Sequence, residues 1–296
     1  MSTAERKVAR IVNAHRQREG GGFVVRRPFP TMGFDAVDPF LLIDEMGPAD
    51  YGPGEAVGAP DHPHRGFETV TYMLEGEFEH EDSAGHRGTL RPGDVQWMTA
   101  GAGVIHSEMP SADIREHGGR VHGFQIWVNL PATDKMMRPR YQELDSAHIP
   151  TAASEDGLAR VKVVAGEALG VKAAIDTRIP IVFQDWTLSP GAEVSVNIPG
   201  NEQAMVYVFG GSATVGAGQQ AVHDGQLALL GEGDSVRLGN NREGEARLLL
   251  LAGAPIGESV ARYGPFVMNT EAELRQAFED FRSGKMGEIT RQAQVG

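Results

Sequence analysis

His62-Pro-His-Arg-Gly-Phe-Glu-Thr-Val-Thr-Tyr-Met-Leu74 is the stretch that best reveals the fold of this chain. Its second half is rich in β-branched, aromatic and apolar residues without helical periodicity, which predicts a buried β-strand. Similar short runs recur along residues 22–128, separated by turn signals such as Glu75-Gly76 and Arg91-Pro-Gly-Asp94. Strands at this spacing predict an antiparallel sandwich or barrel. The other predicted strands of this half are Phe40–Asp44, Asp94–Met98 and Gly123–Val128.

A polar connection over residues 131–140 and 146–157 leads to a second region with the same pattern. Glu75-Gly-Glu-Phe-Glu79 corresponds to Gly210-Gly-Ser-Ala-Thr214, which suggests an internal duplication of one barrel. We therefore predict an all-β chain of two domains, residues 1–145 and 146–296. The predicted strands of the second region are Val161–Val164, Ile181–Phe183, Val194–Ile198, Met205–Phe209, Leu227–Leu230 and Leu248–Leu251.

The one predicted helix lies at the end of the chain. Asn269-Thr270 supplies a capping residue, acidic residues follow it, and an apolar stripe precedes Gly284. We expect this stripe to pack against a barrel, because apolar residues at helical spacing share one face. The stripe consists of Leu274, Ala277, Phe278 and Phe281.

Composition and charge restrict the classes of function. The 296 residues carry a formal charge of −13, so the surface repels phosphate backbones and direct nucleic-acid binding is not expected. The absence of cysteine excludes disulfides, thiolate metal ligands and cysteine nucleophiles. Residues 1–9 lack the apolar segment of a secretory signal, and no run approaches the roughly 20 apolar residues of a membrane helix. A cytoplasmic protein without membrane attachment is the expectation.

Four residues of the first half have the spacing of a mononuclear metal site. His62 and His64 are two residues apart, so on a strand their side chains point to the same face. His106 and Glu108 repeat this spacing. Two such pairs on neighbouring strands would bring three imidazoles and one carboxylate to a common point. This donor set suits divalent iron, manganese, nickel, copper, cobalt or zinc.

The carboxylate has a competitor, and the remaining histidines are weaker candidates. Glu68 lies four residues after His64 and would share the histidine face only if the strand stays regular through Gly66, so residue spacing leaves Glu68 and Glu108 both open. The segment 199–203, which stands in the second half where the histidine pair would be, contains no histidine, so no metal is expected there. The histidines expected at the surface, or else at the rim of a pocket, are His80, His86, His117 and His122.

Long motifs in both halves resemble the pirin family of the cupin superfamily, from about residue 20 to the end of the terminal helix. The resemblance implies a bicupin fold with one iron-type metal, held by His62, His64, His106 and Glu108. It thus favours Glu108 over Glu68. The motifs are Asp38–Asp44, Asp61–Val70, Gly93–Pro110, Gln125–Leu130, Tyr141–Leu144, Gly231–Ser235 and Gly264–Thr270.

The resemblance also implies a choice of functions. Some bacterial pirins resemble quercetin 2,3-dioxygenases, which predicts a metal-dependent oxygenase that cleaves a flavonol with dioxygen. Glu108 would be the catalytic base, and Fe(II) the preferred metal. Mammalian members are described as iron-dependent nuclear cofactors of transcription, so the alternative is a metal- or redox-dependent regulator of a protein partner; a cupin enzyme of another class is a third possibility. Candidate pocket residues beside the ligands are Arg65, Phe67, Trp97 and Met98.

Overall fold

The computed structural model describes residues 4–290, of which more than half lie in β-strands. The elements of the first half are β1 (Val8–Asn13), β2 (His15–Glu19), β3 (Phe23–Phe29), β4 (Phe40–Tyr51), β5 (Ala59–His64), β6 (Phe67–Glu75), β7 (Phe78–Asp82), β8 (Arg87–Leu90), β9 (Val95–Thr99), β10 (Val104–Pro110), α1 (Ala112–His117), β11 (Gly119–Asn129) and β12 (Arg140–Leu144).

The second half continues the same pattern and ends in a helix. Its elements are β13 (Thr151–Ala153), β14 (Ala159–Ala165), β15 (Glu167–Ala168), β16 (Val171–Lys172), β17 (Ile181–Leu188), β18 (Glu193–Asn197), β19 (Gln203–Gly210), β20 (Ser212–Val215), β21 (Gln220–His223), β22 (Gln226–Leu230), β23 (Ser235–Gly239), β24 (Ala246–Gly253), β25 (Ala261–Tyr263), β26 (Phe266–Met268) and α2 (Glu271–Arg282). The all-β prediction is confirmed. Helix α1, a single short turn capped by the Ser111 side chain, was not predicted.

The chain forms two compact units. The N-terminal barrel comprises residues 16–26, 40–146 and those from 256 onward; the C-terminal barrel comprises the residues up to His15, 27–39 and 147–255. The sequence-based limits of 1–145 and 146–296 do not include this exchange of end segments. It arises from pairings between residues far apart in sequence. Strand β1 pairs with β22 of the C-terminal barrel, whereas Phe266 of β26 forms a parallel bridge with Arg65, which also pairs with Asp280 of α2.

The N-terminal barrel is built from two antiparallel sheets. The larger has the order β12-β9-β6-β11-β4-β3-β2, and the smaller has the order β5-β10-β7-β8. Because side chains alternate between the two faces of a strand, every second residue points into the space that the sheets enclose. The interior face of the smaller sheet carries histidines and carboxylates, from strands β5, β7 and β10.

The C-terminal barrel repeats this plan with a different interior. Its sheets have the orders β1-β22-β19-β24-β17-β14-β13 and β18-β23-β20-β21, which supports the predicted duplication. Its core is formed by buried Val, Leu, Ile and Ala side chains together with Trp186. Within residues 4–290, a cluster of three or more potential metal-binding groups occurs in the N-terminal barrel alone.

The terminal helix α2 begins as predicted. Thr270 accepts a hydrogen bond from the backbone N–H of Glu273, whose carboxylate accepts one from the backbone N–H of Thr270, forming a capping box. Leu274 and Ala277 are buried against β26, whereas Phe281 at the edge of the stripe is partly exposed. No helix among the described residues is long and apolar enough to cross a bilayer.

Candidate metal centre

Strands β5 and β10 bring the predicted histidines together. They pair antiparallel with His106 opposite His62 and Val104 opposite His64, so the three histidines share the interior face. Strand β5 lies at the edge of its sheet, where Pro63 is tolerated because one side of the strand needs no hydrogen-bond donor.

The three imidazole rings converge on one point. Their centroids are 4.4 to 5.0 Å apart, the Nε2 atoms of His62 and His106 are 2.9 Å apart, and one nitrogen from each ring lies within 4.8 Å of the others. Metal–nitrogen bonds of about 2.1 Å at right angles separate two nitrogens by about 3 Å. The cluster therefore has the dimensions of a facial set of three nitrogen ligands.

Backbone carbonyls orient two of these rings. His62 Nδ1 lies 2.8 Å from the Pro60 carbonyl, and His64 Nδ1 lies 3.3 Å from the Pro265 carbonyl. A protonated Nδ1 donating to each carbonyl leaves Nε2 free to bind a metal. Burial, followed by the neighbouring histidines, lowers the pKa of His64 and of His106 well below the ordinary value. Both rings are therefore neutral at pH 7, as metal ligands must be.

Glu108 is the carboxylate that faces the histidines. The β5–β10 pairing shifts register between His106 and Glu108, a β-bulge that re-aims the following side chain. Glu108 Oε2 lies 4.0 Å from His106 Nε2, and Oε1 accepts a hydrogen bond from Thr71 Oγ1 at 2.7 Å. A fixed carboxylate beside three imidazoles would add a fourth donor for a divalent metal.

Glu68 points away from this donor set. Strand β5 ends at His64, Gly66 takes a left-handed φ of +88°, and β6 begins anew at Phe67, so alternation does not carry through. Within β6, Glu68 lies on the face opposite Thr71, and its carboxylate accepts a hydrogen bond from Thr99 Oγ1 at 2.6 Å. The geometry favours Glu108 as the ligand.

Two of the other histidines are not surface residues. The exposed fractions of His80 and His122 are 2% and 5%, so the surface expectation is wrong for both. It holds for His86 and His117, whose side chains are more than half exposed. His122 bonds to Glu45, whereas His80 contacts Glu143 on β12. Residues of this face that spacing did not reveal are the buried Thr71 and Gln96, the half-buried Tyr141 and the more exposed Glu143.

The predicted pocket residues have mixed positions. Phe67 packs 5.1 Å from the His64 ring and supports it. Arg65 is buried and pairs with Asp280 of α2 at 2.9 Å, so it holds the turn after the ligand strand. Met98 packs with Tyr141 in a small cluster, while Trp97 alternates with Gln96 and faces the opposite side of β9.

Two antiparallel barrels, one of them with a histidine cluster in its interior, define a two-domain cupin with a candidate site for a divalent metal. Family models described as "Pirin" and "Pirin C-terminal cupin domain" match residues 22–128 and 183–287. The chain belongs to the pirin family of bicupins.

Its relatives span the full length of the chain. Human pirin is 45% identical over 287 residues, covering 96% of this chain and 95% of the human one. A pirin-like protein of Solanum lycopersicum is 45% identical over 283 residues, with 95% and 93% covered. A crystal structure of quercetin 2,3-dioxygenase from Acinetobacter baumannii is 38% identical, covers 97% of this chain and 100% of its own, and superposes with a TM-score of 0.90.

Proposed function

We propose that this chain is a metal-dependent cupin oxygenase of the quercetin 2,3-dioxygenase type. Its metal ligands are His62, His64, His106 and Glu108, and the preferred metal is Fe(II), with Mn, Ni, Cu, Co or Zn as substitutes that the same donors accept. The observation that carries the proposal is the convergence of three imidazoles inside a barrel, with the Glu108 carboxylate 4.0 Å from one of them. The likeness to the Acinetobacter enzyme supports a flavonol and dioxygen as substrates.

The chain's own residues supply ligand geometry and one base. A bound divalent metal provides Lewis acidity, which lowers the pKa of a coordinated hydroxyl. Carbonyls of Pro60 and Pro265 hold two imidazoles in the tautomer that presents Nε2. Thr71 donates a hydrogen bond to Oε1 of Glu108, so Oε2 is the oxygen that faces the histidine cluster. Oε2 is therefore also the atom that would accept a proton from the substrate hydroxyl.

Oxygen uptake on a flavonol tests this function directly. Purified protein is loaded in turn with each of the six metals and mixed with quercetin, while dissolved oxygen and released carbon monoxide are measured. We expect one dioxygen consumed for each carbon monoxide released, and loss of turnover in His106→Ala. His117→Ala, which alters an exposed histidine outside the cluster, is the matched control. Failure of every metal form to consume quercetin would contradict the proposal.

The alternative is a metal- or redox-dependent regulator that binds a protein partner without turnover. Two observations support this alternative. The chain is 45% identical to human pirin, and its formal charge of −13 suits a protein partner better than a nucleic acid. The regulator alternative would be supported by a partner protein that binds the iron-loaded chain and no longer binds after the iron is oxidised or in the His62→Ala variant. Quercetin turnover without any metal-dependent partner would count against it.

A further inference from the structure

A second polar cluster lies on the same interior face as the candidate ligands. In the β10–β7 pairing Glu108 stands opposite His80, so both side chains point into the N-terminal barrel. His80 in turn reaches Glu143 on β12, the edge strand of the larger sheet, with 2.8 Å between Nε2 and Oε1. Directly opposed residues have Cβ atoms about 5 Å apart, and one further side-chain contact leads to Glu143. The carboxylate thus lies on the order of 10 Å from Glu108, a span comparable with the length of a flavonol.

Glu143 has one occupied and one available oxygen. Oε1 accepts a hydrogen bond from Gln96 Nε2 at 2.9 Å and faces His80 as well. Within residues 4–290, Oε2 accepts no hydrogen bond. His80 and Gln96 are almost completely buried, whereas 44% of the Glu143 side chain is exposed. The His80 and Gln96 contacts also lower the pKa of Glu143 below its ordinary value, so it is an ionised acceptor at neutral pH.

A flat aromatic wall adjoins this acceptor. The Tyr141 ring stacks on His80, with centroids 5.7 Å apart and planes 23° from parallel. Burial and the nearby Asp82 carboxylate raise the pKa of Tyr141, so its hydroxyl keeps its proton. Gly88 leaves room for His80, because a Cβ there would lie 2.4 Å from Nε2. In the described part of the chain, both ring nitrogens of His80 are buried without a well-aligned hydrogen bond, although Nε2 lies 2.8 Å from Glu143 Oε1. Buried polar atoms of this kind call for a partner, which a bound molecule would supply.

We infer that Glu143 is a specificity residue that accepts a hydrogen bond from a phenolic hydroxyl at the end of the substrate remote from the metal. The inference rests on the proposed function and narrows it to planar polyphenols that carry a hydroxyl donor besides the metal-binding one. A polar site binds an analogue without the matching hydroxyl more weakly, because the polar groups of the site then lack a hydrogen-bond partner. Since Glu143 is half exposed, water replaces part of the lost contact, and we expect discrimination of about tenfold.

Binding by zinc-loaded full-length protein tests the inference without turnover. The probes are quercetin, galangin and 3-hydroxyflavone, which share the 3-hydroxyl but carry successively fewer other hydroxyls, and binding is followed by flavonol absorbance. Wild type is expected to bind quercetin about tenfold more tightly than 3-hydroxyflavone. Glu143→Ala should abolish this preference, Glu143→Gln should reduce it, and neither should alter 3-hydroxyflavone binding. Glu79→Ala is the matched control, since Glu79 is 42% exposed on the outer face of β7.

The outcomes separate the two proposals. If wild type binds none of the three flavonols, the proposed function itself fails. If wild type binds quercetin but Glu143→Ala keeps the full preference, the oxygenase proposal stands and the role of Glu143 is refuted. If both Glu143 variants bind all three flavonols more weakly by the same factor, the specificity role of Glu143 is also refuted. Glu143 would then act only through its contact with His80, which joins β12 to β7.

Discussion

Replacing Thr71 by Val tests the assignment of the fourth ligand. The substitution keeps the shape of the side chain but removes the hydroxyl that donates to Glu108 Oε1 at 2.7 Å. Loss of a partner that orients a metal ligand typically costs about 10- to 100-fold in metal affinity, which equals about 1.4 to 2.7 kcal/mol. Because the Glu108 side chain is 13% exposed, water can partly replace the hydroxyl, and we expect the lower end, about tenfold.

Thr99→Val is the matched control for this substitution. Thr99 makes the same kind of bond, from Oγ1 to Glu68 Oε1 at 2.6 Å, and it also lies in the larger sheet. Each variant loses a hydrogen bond to a carboxylate, about 1.5–3 kcal/mol of stability, and Thr71→Val also loses the 3.2 Å contact between Oγ1 and Gln125 Oε1. Both should therefore unfold at lowered urea concentrations. Metal affinity should differ: Thr99→Val should bind within about twofold of wild type, since Glu68 faces away from the histidines.

The assay is competition between the apo-protein and a chromophoric chelator for zinc or nickel, with urea unfolding of each apo-variant as the stability reference. Greater loss of affinity in Thr99→Val than in Thr71→Val would refute the reasoning and make Glu68 the ligand. Unchanged affinity in both would mean that neither carboxylate binds the metal.

Three further predictions concern the ligand set and its supports. His106→Ala should weaken zinc binding by more than the roughly 100-fold expected for an orienting partner, and retained affinity in the chelator assay would contradict its role as a ligand. Burial lowers the pKa of Lys135 to about 8, from an ordinary value of 10.5. Between these values the unfolded chain holds a proton that the folded chain lacks, so the unfolding free energy should rise with pH there; the same rise in Lys135→Met would contradict this. Lys285 and Arg65 lower the pKa of Asp280, so its contribution to stability is present above the unfolded value near 4 and is lost as pH falls below it. Asp280→Asn should thus lower the urea midpoint at pH 7 and approach wild type near pH 3, and a constant gap would refute the pairing.

Local chemistry was sufficient for much of the fold. Strand alternation in segments such as Thr69–Leu74, turn residues between strands and the Thr270 capping box depend on neighbours in sequence. The two spaced pairs at the candidate site are local for the same reason: residues two apart on one strand share a face. The structure brings all three histidines together accordingly.

What sequence spacing left open depends on contacts between distant residues. The choice between Glu108 and Glu68 follows from the break at Gly66 and the bulge in β10, neither of which residue type alone predicts. Residue type did not identify the group of His80, Tyr141 and Glu143, because β7 and β12 meet only when two sheets close a barrel.

The sequence by itself thus determined an all-β chain of two similar domains and which candidate ligands share a strand face, because alternation and capping act over a few positions. Only the tertiary structure decided which carboxylate faces the histidines, how the end segments are distributed between the barrels, and which polar residues line the same interior. Strand register and sheet closure join positions dozens of residues apart, and no local pattern records them.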